Sequence, residues 1–139
     1  MKNFNMKWLM MAVMIFSLTS CILEDVEPEY DIIGGVGTIA TLTASTTSPT
    51  EGATVTFTLT IYSEHVDAKE LRMNRVQGAT VTNLQTKTYA SWNREDSVLE
   101  TFQFQVPAGT AGTSIVIQFQ LVSASDHSVT RNITLNVQT

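Results

Sequence analysis

Thr54-Val55-Thr56-Phe57-Thr58-Leu59-Thr60-Ile61-Tyr62 alternates without a break, Val55, Phe57, Leu59 and Ile61 falling at every second position. Successive side chains of a strand point to opposite faces, so this spacing sends four bulky apolar groups one way. Thr54, Thr56, Thr58, Thr60 and Tyr62 go the other way, toward water. β-branched residues at six of the nine positions favour the extended backbone over a helix, where their χ1 freedom is lost. The stretch predicts a strand with one buried and one wet face.

The same period of two recurs on both sides. Phe102, Phe104 and Val106 alternate with Thr101, Gln103 and Gln105. Ile115, Ile117, Phe119 and Leu121 form an inward row opposite Val116, Gln118, Gln120 and Val122. In the last strand Val129, Ile133, Leu135 and Val137 share a face that Arg131 interrupts, with Thr130, Asn132, Thr134 and Asn136 on the other. Weaker alternation marks Val36 to Ser45, Glu70 to Gln77 and Ala79 to Tyr89. No stretch after Tyr30 carries apolar residues at sustained helical spacing. Turn-rich pieces separate the strands: Ser48 to Gly52, Gln77-Gly78, Pro107 to Gly112 and Ser123 to Ser128. About seven strands in roughly 100 residues predict an all-β fold, an antiparallel two-sheet sandwich.

Three pieces carry a resemblance to bacterial immunoglobulin-like domains. Ser48-Pro49-Thr50-Glu51-Gly52-Ala53-Thr54-Val55-Thr56-Phe57 is similar to their first turn and second strand. Val106-Pro107-Ala108-Gly109-Thr110-Ala111-Gly112 is similar to the turn before their penultimate strand, and Ser123 to Ser128 falls where they place an Asp-containing final hairpin. The resemblance covers about residues 36 to 139 and implies an immunoglobulin-like sandwich. The chain departs from it in two ways: there is no Cys…Trp…Cys arrangement, and no glycine follows Asp126.

Upstream of the sandwich the character changes. Lys2 and Lys7 precede a nine-residue apolar run, Trp8 to Phe16, of signal-peptide length and too short for a bilayer span of roughly 20 residues. Leu18-Thr19-Ser20-Cys21 follows, and resembles the lipobox of bacterial lipoproteins. That resemblance implies cleavage before Cys21 and acylation of its thiol, with two or three acyl chains giving a stable anchor. The organisation expected is a signal peptide over residues 1–20, a tether over 21–35 and the sandwich over 36–139. Cys21 is the only cysteine, so the sandwich has no disulfide and is held by packing alone.

Glu24, Asp25, Glu27, Glu29 and Asp31 crowd the tether. Like charges extend such a segment in water. Glu24, Asp25 and Glu27 also resemble the acidic export signal that follows the lipidated cysteine in Bacteroidota lipoproteins. It implies an outer-membrane protein on the cell surface, the alternative being a periplasm-facing one. From Cys21 onward six basic residues face thirteen acidic ones, a net charge of −7. So acidic a surface disfavours nucleic acid and electrostatic docking on anionic lipid. The membrane partner is then reached through acyl chains on Cys21.

No catalytic constellation is legible, so no enzyme activity and no cofactor are expected. His65 and His127 lie far apart in expected loops, without metal-ligand spacing. Asp126 and the pair Glu95-Asp96 lack the alternating oxygen ligands of a calcium loop. Gly34-Gly35-Val36-Gly37 precedes a strand rather than a helix and reads as a hinge, not a phosphate loop. Asn132-Ile133-Thr134 has the form of an N-glycosylation acceptor but lies in a strand.

Two features stand above this background. Tyr89, Trp92, Asn93 and Arg94 gather aromatic and polar groups in one loop, as a ligand-binding loop on a sandwich would. The competing reading makes Trp92 a plug for the sandwich edge. Asp96-Ser97-Val98 resembles the Bacteroidota O-glycosylation motif, with Ser97 as the acceptor. The function expected is a lipid-anchored, non-enzymatic surface binding or adhesion module for a glycan or protein partner. The alternative is a structural accessory subunit of an envelope complex.

Overall fold

The computed structural model describes residues 35–139. Seven strands follow in order: β1 (Thr38–Ala44), β2 (Thr54–Tyr62), β3 (Ala68–Gln77), β4 (Thr80–Thr88), β5 (Val98–Gln105), β6 (Ser114–Ser123) and β7 (Ser128–Asn136). They form two antiparallel sheets, β1-β2-β5 and β4-β3-β6-β7. This is the expected immunoglobulin-like sandwich. It departs from the constant-domain arrangement in keeping the fourth strand beside β3 rather than moving it next to β5.

The inward rows read from the sequence are the core. Val55, Phe57, Leu59 and Ile61 of β2 face Ile115, Ile117, Phe119 and Leu121 of β6, all buried. Phe119 sits between the sheets, its ring edge-to-face with Phe57 at 5.3 Å and with Phe102 at 5.4 Å. Such contacts add about 0.5–1.5 kcal/mol each beyond the area they bury. One phenylalanine thus ties β6 to both β2 and β5.

Local sequence explains the turns. Gly78 opens the two-residue β3–β4 hairpin at φ 59°, and Ala79 keeps a negative φ, the pattern of a type II′ turn that calls for glycine at its first central position. In the β6–β7 hairpin the missing glycine is replaced by Asp126 itself, at φ 61°. Aspartate tolerates that left-handed region better than most residues, and the amide of Ser123 bonds the carbonyl of His127 at 2.8 Å to close the turn.

Arg131 finds its reason here. β1 carries a bulge at Ala40, between the register pairs Ile39–Ile61 and Thr41–Thr60. Arg131 stands opposite Phe119 on the inward side of β7 and donates through Nη1 to the carbonyls of Ile39 (3.0 Å) and Ala40 (2.7 Å). The charge that interrupts the apolar row serves carbonyls freed by the bulge.

The glycine stretch needs a correction. Gly37 is buried, and a Cβ there would come within 2.6 Å of Leu121 Cδ2 and 3.0 Å of the Tyr62 carbonyl. It is a close-approach position rather than a hinge.

Candidate functional site

Three connections meet at the end of the sandwich where the chain runs into β1: residues 63–67, 89–97 and 124–127. Main chain joins them, Ala124 N to the Asp67 carbonyl at 2.8 Å, and Ser125 Oγ reaches the Gly35 carbonyl at 3.2 Å. All four residues of the expected binding loop lie here, and their polar groups are engaged within the protein. Trp92 is half-buried against the core, edge-to-face with Tyr89 at 5.1 Å, and its indole N–H donates to the Ser63 carbonyl at 3.0 Å. The Tyr89 hydroxyl bonds Glu100 Oε1 at 3.1 Å, while Lys87 Nζ holds Oε2 at 2.5 Å. Burial, and then the Glu100 charge, push the Tyr89 phenol above its ordinary range. Asn93 bonds the Asp96 carboxylate at 2.6 Å and accepts from the amide of Glu95, and Arg94 Nε bonds Asp67 at 2.7 Å. This geometry favours the plug reading of Trp92.

Around the plug the surface is shallow. An open depression of 340 Å³ lies along Asp67, Lys69, Tyr89, Ser91 and Trp92. Lys69 and Asp126 pair at 2.6 Å above it, and the hydrogen bond and charge of the pair raise the Lys69 ammonium and lower the Asp126 carboxyl. Ser97 is exposed just before β5, on a second depression of 260 Å³ with Tyr62, Glu64 and Arg94. His65 and His127 are both exposed in loops at this end, and His127 Nδ1 lies 3.0 Å from the Ser125 carbonyl. Among the described residues no three His, Cys, Asp or Glu side chains converge on a common point. Cys21 and the acidic residues Glu24, Asp25 and Glu27 lie outside the described residues.

The outer face of the four-stranded sheet was not singled out from the sequence, and it holds a larger depression of 390 Å³. Register builds it. Thr86, Arg72, Gln120 and Thr130 stand side by side across β4, β3, β6 and β7. The next row is Asn83, Asn74, Gln118 and Asn132. Glu70 pairs with Arg72 beneath the first row, and Val81 forms the rim at 54% exposure. The alternation of Glu70, Arg72 and Asn74 with Leu71 and Met73 was the available signal. It was faint because the outward residues here are polar but mixed, and the bulge opposite Met73 and Asn74 breaks the register on β4.

Asn74 is the notable member, only 3% exposed. Asn83 donates from Nδ2 to Asn74 Oδ1 at 2.9 Å and to the Gln85 carbonyl at 3.4 Å, and accepts from Thr86 Oγ1 at 3.3 Å. The main-chain carbonyl fixes which end of the Asn83 amide is nitrogen, so Asn74 must present its oxygen to it. Among the described residues the enclosed side-chain polar atom without a partner is Arg75 Nε. The Asn74 NH2 makes no hydrogen bond within the protein but keeps access to solvent, and the side chain lines the depression.

No protein-family model and no curated protein matches the chain. Solved structures do share its fold. A Niemann-Pick type C2 protein from the Japanese carpenter ant is similar at TM-score 0.54 and 11% identity, over 75% of this chain and 92% of that one. Spo0M, a sporulation control protein from Bacillus subtilis, is similar at TM-score 0.53 and 10% identity, over 76% of this chain. This chain spans 50% of the length of Spo0M. At these identities the likeness is one of fold, and it places the chain among two-sheet β-sandwich proteins.

Proposed function

We propose that this chain is a lipid-anchored envelope protein whose sandwich is a non-enzymatic binding module for a glycan or protein partner, carried on the outer membrane and facing the cell surface. The leader and the Leu18-Thr19-Ser20-Cys21 motif support the anchor, and the acidic residues Glu24, Asp25 and Glu27 support surface export. The observation that carries the binding reading is the uneven commitment of polar groups. The polar groups of Tyr89, Trp92, Asn93 and Arg94 at the loop end are paired within the protein, whereas the outer face of the four-stranded sheet keeps a depression into which the Asn74 NH2 opens without a bond of its own. Ser97 is exposed and open to a glycosyltransferase.

Cell fractionation and proteinase accessibility test the anchor and its orientation. Wild-type protein should pellet with membranes and be digested on intact cells, and Cys21→Ala should be released. A Cys21→Ala protein that still pellets would reject the anchor, and full protection on intact cells would reject surface exposure. Intact mass above that of the acylated chain, restored to it by Ser97→Ala, would support the O-glycan.

A further inference from the structure

The depression on the outer face of the four-stranded sheet has the chemistry of a site for an uncharged polyhydroxylated ligand. We propose that it binds a segment of neutral glycan along β3, through the Asn74 amide, the Arg72 guanidinium and the Glu70 carboxylate. This rests on the reading of the chain as a binding module and names its ligand.

Charge excludes the alternatives first. Across the outward-facing rows of Glu70, Arg72, Asn74 and Val76 the only charged side chains are Glu70 and Arg72, and they neutralise one another. An anionic ligand would meet the Glu70 carboxylate beside its only cation, and a cationic one would have to displace Arg72. A hydroxyl does neither. It donates to a carboxylate oxygen and accepts from an amide or guanidinium N–H at once, which is what this mixture of donors and acceptors asks for. The Asn74 NH2 supplies two donors, and Arg72 keeps N–H groups beyond the one given to Glu70. The Asn74 NH2 makes no bond within the protein and is reached from the depression, so a ligand oxygen there can take the place of water on it.

Spacing sets the shape of the ligand. Glu70, Arg72 and Asn74 are alternate residues of one strand, hence about 6.6 Å apart from one to the next and about 13 Å overall. That span suits several linked rings better than a single one. No tryptophan, tyrosine or phenylalanine lies in these outward-facing rows, so binding is by hydrogen bonds rather than by stacking, and the exposed Val81 at the rim offers one apolar contact.

Affinity electrophoresis of the full chain in detergent tests this, through gels containing mannan, dextran, xylan or polygalacturonate. Expected is retardation by at least one of the three neutral polysaccharides, none by polygalacturonate, and little change between about 50 and about 500 mM salt, because no net charge is recognised. Asn74→Ala and Arg72→Ala should each weaken the apparent affinity about tenfold, the size of one or two lost hydrogen bonds. Should Asn74→Ala fail to fold, Thr86→Val and Gln120→Leu, both on the surface of the same depression, should weaken it instead, while Trp92→Phe should not. The proposal fails if no neutral polysaccharide retards the protein or if polygalacturonate is preferred. It also fails if Trp92→Phe abolishes binding that the sheet variants leave intact, or if a protein partner is captured and no glycan is. Anchoring is read separately: retention of glycan binding by a chain with a bare Cys21 thiol would reject the anchor alone, and an anchored chain without retardation would reject the glycan alone.

Discussion

Removing the Trp92 side chain separates a structural loop from a binding loop more sharply than any other single change. The half-buried indole covers about 100 Å² of apolar surface, half of what a fully buried tryptophan does, and so stabilises the fold by about 2.5 kcal/mol. Its hydrogen bond to the Ser63 carbonyl at 3.0 Å contributes about 1 kcal/mol, and the edge-to-face contact with Tyr89 about 0.5–1.5. Water entering the vacated edge recovers part of this, so Trp92→Ala should lower stability by about 3 kcal/mol, against a total of about 5–15 for a domain of this size. Trp92→Phe keeps the ring and loses the N–H, and should lower it by about 1 kcal/mol. Urea unfolding followed by far-UV circular dichroism reads both, because Trp8 is the only other tryptophan and fluorescence would be lost with the mutation. A loss below about 0.5 kcal/mol for Trp92→Ala, the range of ordinary surface changes, would refute the plug and return the ring to ligand binding.

Phe119→Ala removes the contact that joins both sheets and should destabilise by about 3–5 kcal/mol in the same titration; a loss under 1 would mean the two ring contacts do not organise the core. Gly37→Ala places a methyl against Leu121 and the Tyr62 carbonyl and should lower stability by about 1–3 kcal/mol, whereas an unchanged Tm would restore the hinge. Arg131→Met leaves the Ile39 and Ala40 carbonyls without their donor and should cost about 1–2 kcal/mol, which hydrogen exchange confined to β1 and β7 would localise. The phenol of Tyr89 ionises less readily folded than unfolded, so the folded state keeps its proton above pH 10.0, where the unfolded chain releases it. Its stabilising contribution is therefore complete below pH 10.0 and lost as pH rises beyond. Tyr89→Phe should flatten that alkaline decline in urea midpoint, and an identical decline in the variant would contradict the assignment.

How far the sequence disclosed this protein depended on whether a residue answers to its own strand or to another. Thr54 to Tyr62 was fully legible because both of its faces follow one rule, apolar inward and threonine outward, and its limits in the structure are the same. β4 was legible only as a weak strand, since nearly all of its side chains are exposed at the edge of a sheet and none needs to be apolar. Arg131 was visible as an exception and could not be explained locally, because the bulge it serves lies 91 residues away. The same holds for Tyr89 and Trp92. Their types suggest a ligand platform, but Ser63 and Glu100, which occupy their polar atoms, come from other strands and connections. The depression around Asn74 depends on register across β4, β3 and β6, a quantity that no single strand encodes.

The four edge strands narrow what a partner can do. A free edge offers unpaired N–H and C=O groups to an incoming strand, and natural sheets block it with bulges or inward-pointing charges. β1 has the bulge at Ala40, and β4 has its own irregularity opposite Met73 and Asn74. β7 turns Arg131 inward, and β5 turns Glu100 inward, where it meets Lys87 from β4. Arg131 also links β7 to β1, as Lys87 and Glu100 link β4 to β5, so each open side of the sandwich is closed by a polar clasp. Strand addition would have to break a clasp or straighten a bulge at every edge, which weighs against an accessory subunit that lends an edge strand to a complex. Contact through a sheet face disturbs none of these devices. The face of β4, β3 and β6 with its half-satisfied asparagine is therefore where recognition is least opposed by the way the fold protects itself.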